Sequence, residues 1–464
     1  MSDPLTTLKG EPQVVWHQTT VTVGAVLDAL NTIRNKFARE EAAEEDQPHP
    51  RNCVMTLIAV ASSDDEERRA QLAYRMIGAQ HPAQGIVIRE QADEAAAGIE
   101  AFISTDVQRP PSACATQCEL VTMRVRGAAG QHLAGLIDPL TTSGVPTYLW
   151  WVGTPPFGRR EVDDGVKVCD ALIVDSSRFE RPYHSFLGLS RLAATRHQRL
   201  GIGDLQWSRL RPWRETIAQF FSPAERRAFL NGISSVGIEY AGEGRGNRIA
   251  AAVLTGWIAS ALGWKLQRAA AGSGGVVAAH YVAEGWRPID LAFRSVKKGH
   301  LESGEITTVR IEGASGGQTF SLTVQRDPER SPLPEPPDPS YSSVHRPGGE
   351  DDAGVELAER RSERHREVLQ GSRDALHHTA TGQPPGEGTP RRSTVVTRER
   401  RRGEDPSLIL LTLIEIGGGE TLRHIQRIDS EDDATLLLDL LASGTHDAVY
   451  IRSLSAAADL MRAV

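Results

Sequence analysis

The distribution of apolar residues over the first 150 positions changes repeatedly between short continuous runs and stripes with helical spacing. Residues 21–38 carry apolar side chains three or four positions apart, which is the spacing of a helix that buries one face. Helices are also predicted at 66–77 and 133–140. Strands are predicted at five short apolar runs, namely residues 53–60, 84–89, 98–105, 120–126 and 146–151. Because strands and helices alternate, this region is predicted to be α/β.

Helical signals become stronger in the middle of the chain. Pro212 favours the start of a helix, because its missing N–H would have no partner in the first turn. Ser222 and Glu225 have the spacing of a capping box, which predicts a helix over residues 223–231. An almost wholly apolar stretch at 248–262 predicts a buried helix.

Short runs in the same region predict strands at 171–175, 235–240, 276–282, 290–296, 307–312 and 319–325. The last four are separated by glycine-rich turns, which indicates an antiparallel meander. Glycine and proline at 153–158 interrupt the pattern, so we place a domain boundary near residue 160. We therefore expect an N-terminal extension at 1–20 and two α/β domains with mixed sheets at 21–160 and 161–326.

Composition changes sharply at Asp327. Residues 327–405 are rich in proline, glycine, serine and mixed charge, so we expect a long disordered linker, with a charged helix at 355–377 as an exception. Apolar patterning returns in residues 406–464, which are predicted to form a small C-terminal βαβ-like module. Its elements are expected at 408–416 (strand), 434–441 (helix) and 448–451 (strand).

Charge and composition exclude several classes of protein. A net charge of -8 over 464 residues, without a cluster of lysines, argues against nucleic-acid binding. No apolar run reaches the roughly 20 residues of a membrane span, so we expect neither a membrane partner nor a membrane location. Four cysteines in so long a chain do not form a secreted disulfide framework, and we expect a cytoplasmic protein.

A glycine-rich loop is the first candidate for chemistry. Gly242, Gly244 and Gly246 lie between a predicted strand and a predicted helix, where backbone N–H groups attract anions, and Arg245 and Arg248 add positive charge. The spacing is neither that of a dinucleotide fingerprint nor that of a P-loop. Two interpretations stay open: an anion site at Gly244, Arg245, Gly246 and Arg248, or a connecting turn.

Two cysteines are a weaker candidate for chemistry. Cys114 and Cys118 lie four positions apart and could form a reversible disulfide, or they could be inert thiols. Neither cysteine has the further ligands that zinc needs, so no metal site is expected.

Among the sequence patterns, the one most similar to a catalytic site is a pair of serines beside an aspartate. Asp175, Ser176 and Ser177 end a predicted strand, and His184 follows nine positions after Asp175. No nucleophile elbow surrounds the serines, so the alternative is that they and Asp175 cap a turn. We expect no catalytic residue and no cofactor.

Tryptophan and arginine are concentrated in the middle of the chain. Tryptophan belongs in protein cores, but both residue types are also enriched at binding hot spots. Trp150 and Trp151 are consecutive in a predicted strand and must point to opposite faces, which favours one exposed ring. The candidate partner-binding residues are Trp151, Arg178, Trp207, Arg211, Trp213 and Arg214.

Several of these segments together resemble one known family. The residues that carry the resemblance are Leu149 to Gly153 with Pro155 and Pro156, Leu172 to Phe179, Asp204 to Phe221 around Trp207 and Trp213, and Gly256, Trp257, Leu262, Gly263 and Trp264. In this order they are similar to the glucose-6-phosphate dehydrogenase assembly protein family, OpcA, over about residues 21–325.

The resemblance implies a non-catalytic partner that binds glucose-6-phosphate dehydrogenase and favours its active form in the oxidative pentose phosphate pathway. It also implies thioredoxin as a further partner, acting through cysteines. The alternative is a sugar-phosphate or nucleotide sensor, or an enzyme, that uses the loop at 242–247.

Overall fold

The computed structural model describes most of the chain outside the long segment 327–407. The described residues are 13–44, 53–78, 81–91, 97–108, 116–242, 246–272, 275–298, 301–326, 408–428 and 432–464. They divide into two compact units, of which the first comprises residues 1–209 and 431–451 and the second residues 210–430 and 452–464. The expected linker at 327–405 lies outside the described residues.

The first unit is built on an eight-stranded sheet. Its strands are β1 (Gln13–Gln18), β2 (Met55–Ala61), β3 (Ala83–Gln91), β4 (Gly98–Gln108), β5 (Thr116–Arg126), β6 (Thr147–Trp151), β7 (Ala171–Val174) and β8 (Gly201–Asp204). Its helices are α1 (Val23–Glu44), α2 (Asp64–Gly78), α3 (Leu133–Ile137), α4 (Arg160–Gly165), α5 (Pro182–Arg196), α6 (Leu205–Arg209) and, after the second unit, α10 (Asp433–Ser443).

Six strands of this sheet are parallel and lie in the order β5-β3-β2-β6-β7-β8. β4 and β1 extend the sheet beyond β5 as antiparallel strands. If these six parallel strands are renumbered along the chain from 1 (β2) to 6 (β8), their order in the sheet is 3-2-1-4-5-6. This is the doubly wound order of dinucleotide-binding folds. Chain order reverses between β2 and β6, so the crevice beyond the carboxyl ends of these two strands is where such folds place a ligand.

The sheet of the first unit is covered on both faces. All seven residues of β2 are buried, as expected for a central parallel strand. On one face, β2 and Trp150 belong to a cluster with apolar residues of α2 and α10. On the other face, a Cβ built on Gly165 of α4 would lie 3.0 Å from Leu149 Cδ2. Consecutive residues of β6 thus point into two different cores.

The second unit also contains an eight-stranded sheet, in the order β10-β11-β12-β9-β13-β14-β15-β16. Its strands are β9 (Ile233–Ala241), β10 (Lys265–Ala271), β11 (Val277–Ala283), β12 (Arg287–Val296), β13 (Ile306–Ser315), β14 (Gln318–Arg326), β15 (Leu408–Ile416) and β16 (Leu422–Ile428). Its helices are α7 (Arg211–Phe221), α8 (Arg227–Leu230) and α9 (Ile249–Ala261), and the last helix, α11 (Ala448–Ala463), belongs to this unit from Arg452 onward.

The core of the second unit includes α9 and a group of aromatic rings. α9 is apolar on all sides and is buried at most positions, which fits a helix enclosed by its surroundings. Its Gly256 lies so close to α11 that an added Cβ would collide with the carbonyl of Ser453 and lie 2.8 Å from Ala457 N. Phe220 of α7 stacks on Phe320 of β14, with ring centroids 5.9 Å apart.

The two α/β units with mixed sheets confirm the expected fold class, but several predicted details are wrong. The expected boundary near residue 160 does not coincide with the division at residue 209, because β7 and β8 pair with the first sheet. The four late strands exist but are no simple meander, since β9 lies between β12 and β13 and runs parallel to β12.

Local predictions failed at three further places. Ser222 is helical (φ −64°, ψ −41°) and ends α7, so it cannot be the extended first residue of a capping box. The predicted strand at 448–451 is the start of α11. The C-terminal module is two strands and two helices, of which β15 and β16 join the second sheet and α10 joins the first unit.

Within the described part of the chain, none of the helices combines the length and apolar character needed to cross a membrane.

Candidate functional site

Asp175 follows β7 directly and is fully buried. Arg209 of α6 donates to both carboxylate oxygens, with Nη1 2.7 Å from Oδ1 and Nη2 2.8 Å from Oδ2. Burial by itself would raise the pKa of Asp175, but the charge and hydrogen bonds of Arg209 and a hydrogen bond from Ser177 outweigh burial and lower the pKa to about 2. Asp175 is therefore ionised at neutral pH, and its charge is paired.

Asp204, the last residue of β8, is a second buried carboxyl at the same edge of the sheet. It accepts hydrogen bonds from Ser176 N (3.0 Å), Ser176 Oγ (2.7 Å) and Gln206 N (3.0 Å). The Tyr450 hydroxyl donates a fourth bond, over 2.9 Å. Burial raises the pKa of Asp204, and the hydrogen bonds from Ser176 partly offset that effect. Asp204 thereby holds the start of α11 on the first unit.

Asp433, at the start of α10, extends this network. Arg209 Nη2 lies 3.2 Å from Asp433 Oδ1, and Arg69 Nε of α2 lies 2.9 Å from Asp433 Oδ2. Two carboxylates and two guanidinium groups thus alternate from β7 to α2. Because removing one member would leave a partly buried charge unpaired, the network fastens α10 to the first unit.

The arrangement of Ser176 and Ser177 does not resemble that of a nucleophile and its base. Both hydroxyls donate to carboxylates, Ser176 to Asp204 and Ser177 to Asp175. Asp175 also accepts from the Ser177 N–H and so caps the short turn Ser176–Arg178. The ring of His184 lies edge-on to Tyr183. The interpretation as a capping residue is confirmed for Asp175, whereas the two serine hydroxyls donate to carboxylates.

At the crevice beyond β2 and β6 lies the side chain of Glu66, next to Gly153. Only Ser62 and Ser63 connect β2 to α2, where a dinucleotide-binding fold has its glycines. Glu66 Oε2 accepts the Ser62 N–H over 2.7 Å and the Ser62 hydroxyl over 2.8 Å. A Cβ on Gly153, just after β6, would collide with Glu66 Oε1. Negative charge therefore occupies the place at which such folds hold a pyrophosphate.

The three tryptophans among the candidate partner-binding residues are core residues. Trp151, Trp207 and Trp213 are 5%, 5% and 3% exposed. Trp207 packs on Tyr450, with ring centroids 5.4 Å apart, and its Nε1 donates to Asp447 over 2.8 Å. The expectation that Trp150 or Trp151 is exposed is wrong, because both faces of the sheet at β6 are covered.

The candidate arginines are more accessible than the tryptophans. Arg178 is 43% exposed and donates from Nε to Asp175 Oδ2 over 3.2 Å. Arg211 and Arg214 lie on α7 and are partly buried. Arg178 belongs to the first unit and the other two to the second.

Cysteine placement leaves the redox hypothesis as a prediction. Cys118 is buried, and its Sγ lies 3.5 Å from the carbonyl oxygen of Gly78, whereas Cys114 lies outside the described residues. Burial raises the pKa of Cys169 to about 12, so this thiol is protonated and unreactive at neutral pH.

The glycine-rich loop is described in part. Gly244 and Arg245 lie outside the described residues. The Asn247 side chain accepts the Ile249 N–H over 3.0 Å, and Ser303 Oγ accepts the Asn247 N–H over 3.2 Å. The Ile249 N–H, at the start of α9, thus already has a hydrogen-bond acceptor within the chain. The anion site at Gly246 and Arg248 remains a prediction.

Two notable side chains were not found by sequence analysis. Glu90 lies near the end of β3, and burial followed by the nearby charge of Glu161 raises its pKa to about 7. Trp286 lies between β11 and β12 and is 84% exposed. Gly285 before Trp286 signals a tight turn there, but no local pattern predicts the burial of Glu90.

Comparison with known families decides where the chain belongs. Residues 200–454 match the domain described as the C-terminal domain of a glucose-6-phosphate dehydrogenase subunit, and residues 74–191 match the corresponding N-terminal domain. The chain belongs to the OpcA family of glucose-6-phosphate dehydrogenase assembly proteins. The resemblance that the tryptophan-rich segments indicated is confirmed.

Individual OpcA relatives match parts of the chain. A protein named OpcA from Synechocystis sp. is 32% identical over 190 residues, which are 40% of this chain and 38% of the relative. Another from Nostoc punctiforme is 27% identical over 224 residues, or 47% of each chain. The chain thus spans less than half the length of these curated relatives.

Solved structures resemble this OpcA-family chain only distantly. UDP-N-acetylglucosamine 3-dehydrogenase from Acidithiobacillus ferrooxidans aligns with a TM-score of 0.38 and 11% identity, over 89% of this chain and 98% of that enzyme. An NAD-binding protein from Listeria innocua aligns with a TM-score of 0.29 and 7% identity, over 58% of this chain and 76% of that protein. Scores this low carry no argument about function.

Proposed function

We propose that this protein binds glucose-6-phosphate dehydrogenase and favours its active form, without catalysing a reaction itself. The observation that carries the proposal is the match of two family domains, both described as parts of a subunit of that enzyme, which together extend from residue 74 to residue 454. The proposal places the protein in the oxidative pentose phosphate pathway and in the cytoplasm.

The crevice of the doubly wound sheet supports a non-catalytic role. A dehydrogenase of this fold needs its dinucleotide pyrophosphate close to the turn after the first parallel strand. Here the Glu66 carboxylate lies in that place, bonded to Ser62 and pressed against Gly153. The first turn of α2 also carries Asp64, Asp65, Glu66 and Glu67. A pyrophosphate would have to displace or approach these carboxylates, which Coulomb repulsion opposes.

The buried polar network supports the same conclusion. Asp175 and Asp204 are the carboxylates at the ends of β7 and β8, and each is engaged by donors of the same chain. A general base needs a carboxylate that can reach a substrate proton. These two groups hold α6, α10 and α11 in place instead.

An activator of this kind works through differential affinity. It shifts the dehydrogenase towards its active form only as far as it binds that form more tightly than the inactive one. Since Trp151, Trp207 and Trp213 are buried, we propose Arg178, Arg211 and Arg214 as the members of the predicted set that contribute to the contact.

Titration of the full chain into its cognate dehydrogenase tests the proposal. We expect saturable binding, accompanied by a rise in substrate affinity or a change in oligomeric size of the dehydrogenase. Calorimetry of the isolated chain with glucose 6-phosphate and with NADPH is the control, and neither ligand should bind. A dehydrogenase that behaves identically with and without the chain would contradict the proposal.

A further inference from the structure

Trp286 is the most exposed large apolar side chain in the described part of the protein. It is 84% exposed, against 58% for Val14, the next in order. The other tryptophans discussed above, Trp151, Trp207 and Trp213, are at most 5% exposed. Trp286 is therefore the tryptophan most exposed to solvent among the described residues, whereas Trp151, Trp207 and Trp213 lie in the core.

The backbone of Trp286 is in an unfavourable conformation. Its φ is +61°, and it is the only residue other than glycine with a positive φ in the described chain. Gly285 before it has φ 75° and ψ 20°. For a bulky side chain the left-handed region is a genuine outlier, and glycine or asparagine would make the same turn at a lower cost. The turn itself therefore gives no reason for a tryptophan at this position.

The hairpin that carries Trp286 is rigid at its base. β11 and β12 pair without a break from Val277↔Phe293 to Ala283↔Arg287. Tyr281 and Ile289, opposite each other in this pairing, are 2% and 0% exposed. The backbone that carries Trp286 is held by this base and loses little conformational freedom on binding, so less of the interaction free energy is offset by ordering of the turn.

These observations indicate a binding anchor. Tryptophan is the residue type most enriched at hot spots, where it fills an apolar pocket of the partner and is shielded from water. Backbone strain that persists without a folding role also concentrates at binding sites. Because the indole is exposed on a turn between two strands, its partner must supply the pocket.

We propose that Trp286 is the principal apolar anchor for glucose-6-phosphate dehydrogenase and inserts into an apolar pocket on that enzyme. The inference rests on the proposed function and names the part of the chain that makes the contact. The dehydrogenase is the occupant because Trp286 lies inside residues 200–454, the domain described as part of that enzyme's subunit. The contact adds to the arginines proposed above and replaces the buried tryptophans.

The test compares Trp286→Ala with wild type in the full chain, using calorimetric titration against the cognate dehydrogenase. We expect the dissociation constant to rise about 30-fold or more, as for a hot-spot residue. Leu422→Ala is the matched control, since Leu422 is 56% exposed in the same unit, and it should leave the dissociation constant within about twofold.

A second variant separates binding from folding. Trp286→Gly removes the indole and also suits the positive φ, so it should weaken binding as Trp286→Ala does while the melting temperature stays equal or rises. A fall in melting temperature together with the loss of binding would assign a structural role to Trp286 and overturn the inference.

The outcomes distinguish this inference from the proposed function. If wild type binds the dehydrogenase and Trp286→Ala binds equally well, the anchor is excluded and the proposed function stands. If wild type shows no binding, both are excluded. If Trp286→Ala instead changes the sedimentation of the isolated chain and leaves the affinity for the dehydrogenase unchanged, the indole contacts a second copy and the inference is wrong.

Discussion

Glu90 shows how a single buried carboxyl couples this fold to pH. Its Oε1 is buried and has no hydrogen-bond partner among the described residues. Burial is the main cause that raises the pKa of Glu90 from 4.5 to about 7, and the charge of Glu161 adds to it. The folded protein therefore holds a proton on Glu90 over a pH range in which the unfolded chain has lost it.

Replacing Glu90 by glutamine should remove this pH dependence. Because the folded pKa is the higher one, the stabilising effect of the proton is complete below pH 4.5 and is lost as the pH rises through 7. Between pH 5 and pH 8 we expect the free energy of unfolding of wild type to fall by up to about 3 kcal/mol relative to Glu90→Gln. Urea denaturation at both pH values measures the difference.

Glu161→Gln is the matched control for this prediction. It removes the smaller cause of the raised pKa and leaves Glu90 buried, so most of the pH dependence should remain. Parallel stability profiles for wild type and Glu90→Gln would show that Glu90 titrates normally.

At the scale of elements, α10 completes the hydrophobic core of the first unit from a distant part of the sequence. Leu436 and Leu437 are fully buried in the cluster that contains residues of β2 and α2. Asp432 caps the helix by accepting the Thr435 N–H over 2.8 Å. Leu440 lies so close to Gly203 of β8 that a Cβ there would lie 2.6 Å from its Cδ2. The helix is therefore an integral part of the first core.

Leu437→Ala should destabilise the first unit by about 2–5 kcal/mol, since it removes buried methyl groups and leaves a cavity. Leu438→Ala is the control on the same helix, because Leu438 packs at the margin of the cluster and should cost clearly less. Thermal denaturation followed by circular dichroism gives the comparison. Equal losses of stability for the two variants would mean that α10 does not pack against the first unit as described.

At the scale of the whole molecule, the first unit is built from both ends of the chain, residues 1–209 and 431–451. Besides the ionic network at Asp433, the Ile202 N–H donates to the carbonyl of Thr445 over 2.9 Å. Residues 327–407 connect β14 to β15, which are antiparallel neighbours with Arg326 opposite Leu410. A hairpin-length turn could join these two strands. We therefore expect residues 431–451 to contribute more to the stability of the fold than residues 327–407 do.

A chain that ends at Ser430 should lose cooperative unfolding. It lacks the buried leucines of α10, each worth about 2–5 kcal/mol, and it removes Tyr450, one of the partners of Asp204, and Asp433, one of the partners of Arg209. Together these losses are comparable to the about 5–15 kcal/mol that stabilises a typical domain. Calorimetric melting of the truncated chain should show a broad transition or aggregation.

The matched control replaces residues 328–406 by a short Asn-Gly turn and keeps the C-terminal segment. Since β14 and β15 are adjacent and antiparallel, this variant should melt close to wild type. Wild-type melting of the chain that ends at Ser430 would show that α10 and α11 contribute little to either unit.

Much of the local structure could be read from the sequence. The strand at Leu408–Ile416 was predicted with its observed bounds, and α2, β3 and α9 lie within a few residues of their predicted positions. Apolar periodicity suffices for such elements because it records which face of a segment is buried. Family membership was also predicted, since it depends on residue order along the chain.

Tertiary structure alone decided what these elements do. β8 is a glycine-containing strand of four residues that pairs only because β7 lies beside it, and the predicted strand at 448–451 became helix. The exposure of Trp286, the burial of Trp151 and the bond between Asp204 and Tyr450, 246 positions apart, depend on neighbours distant in sequence. Local pattern records whether a segment buries a face, but not which partner covers it, so exposure and long-range bonding appear only in the folded chain.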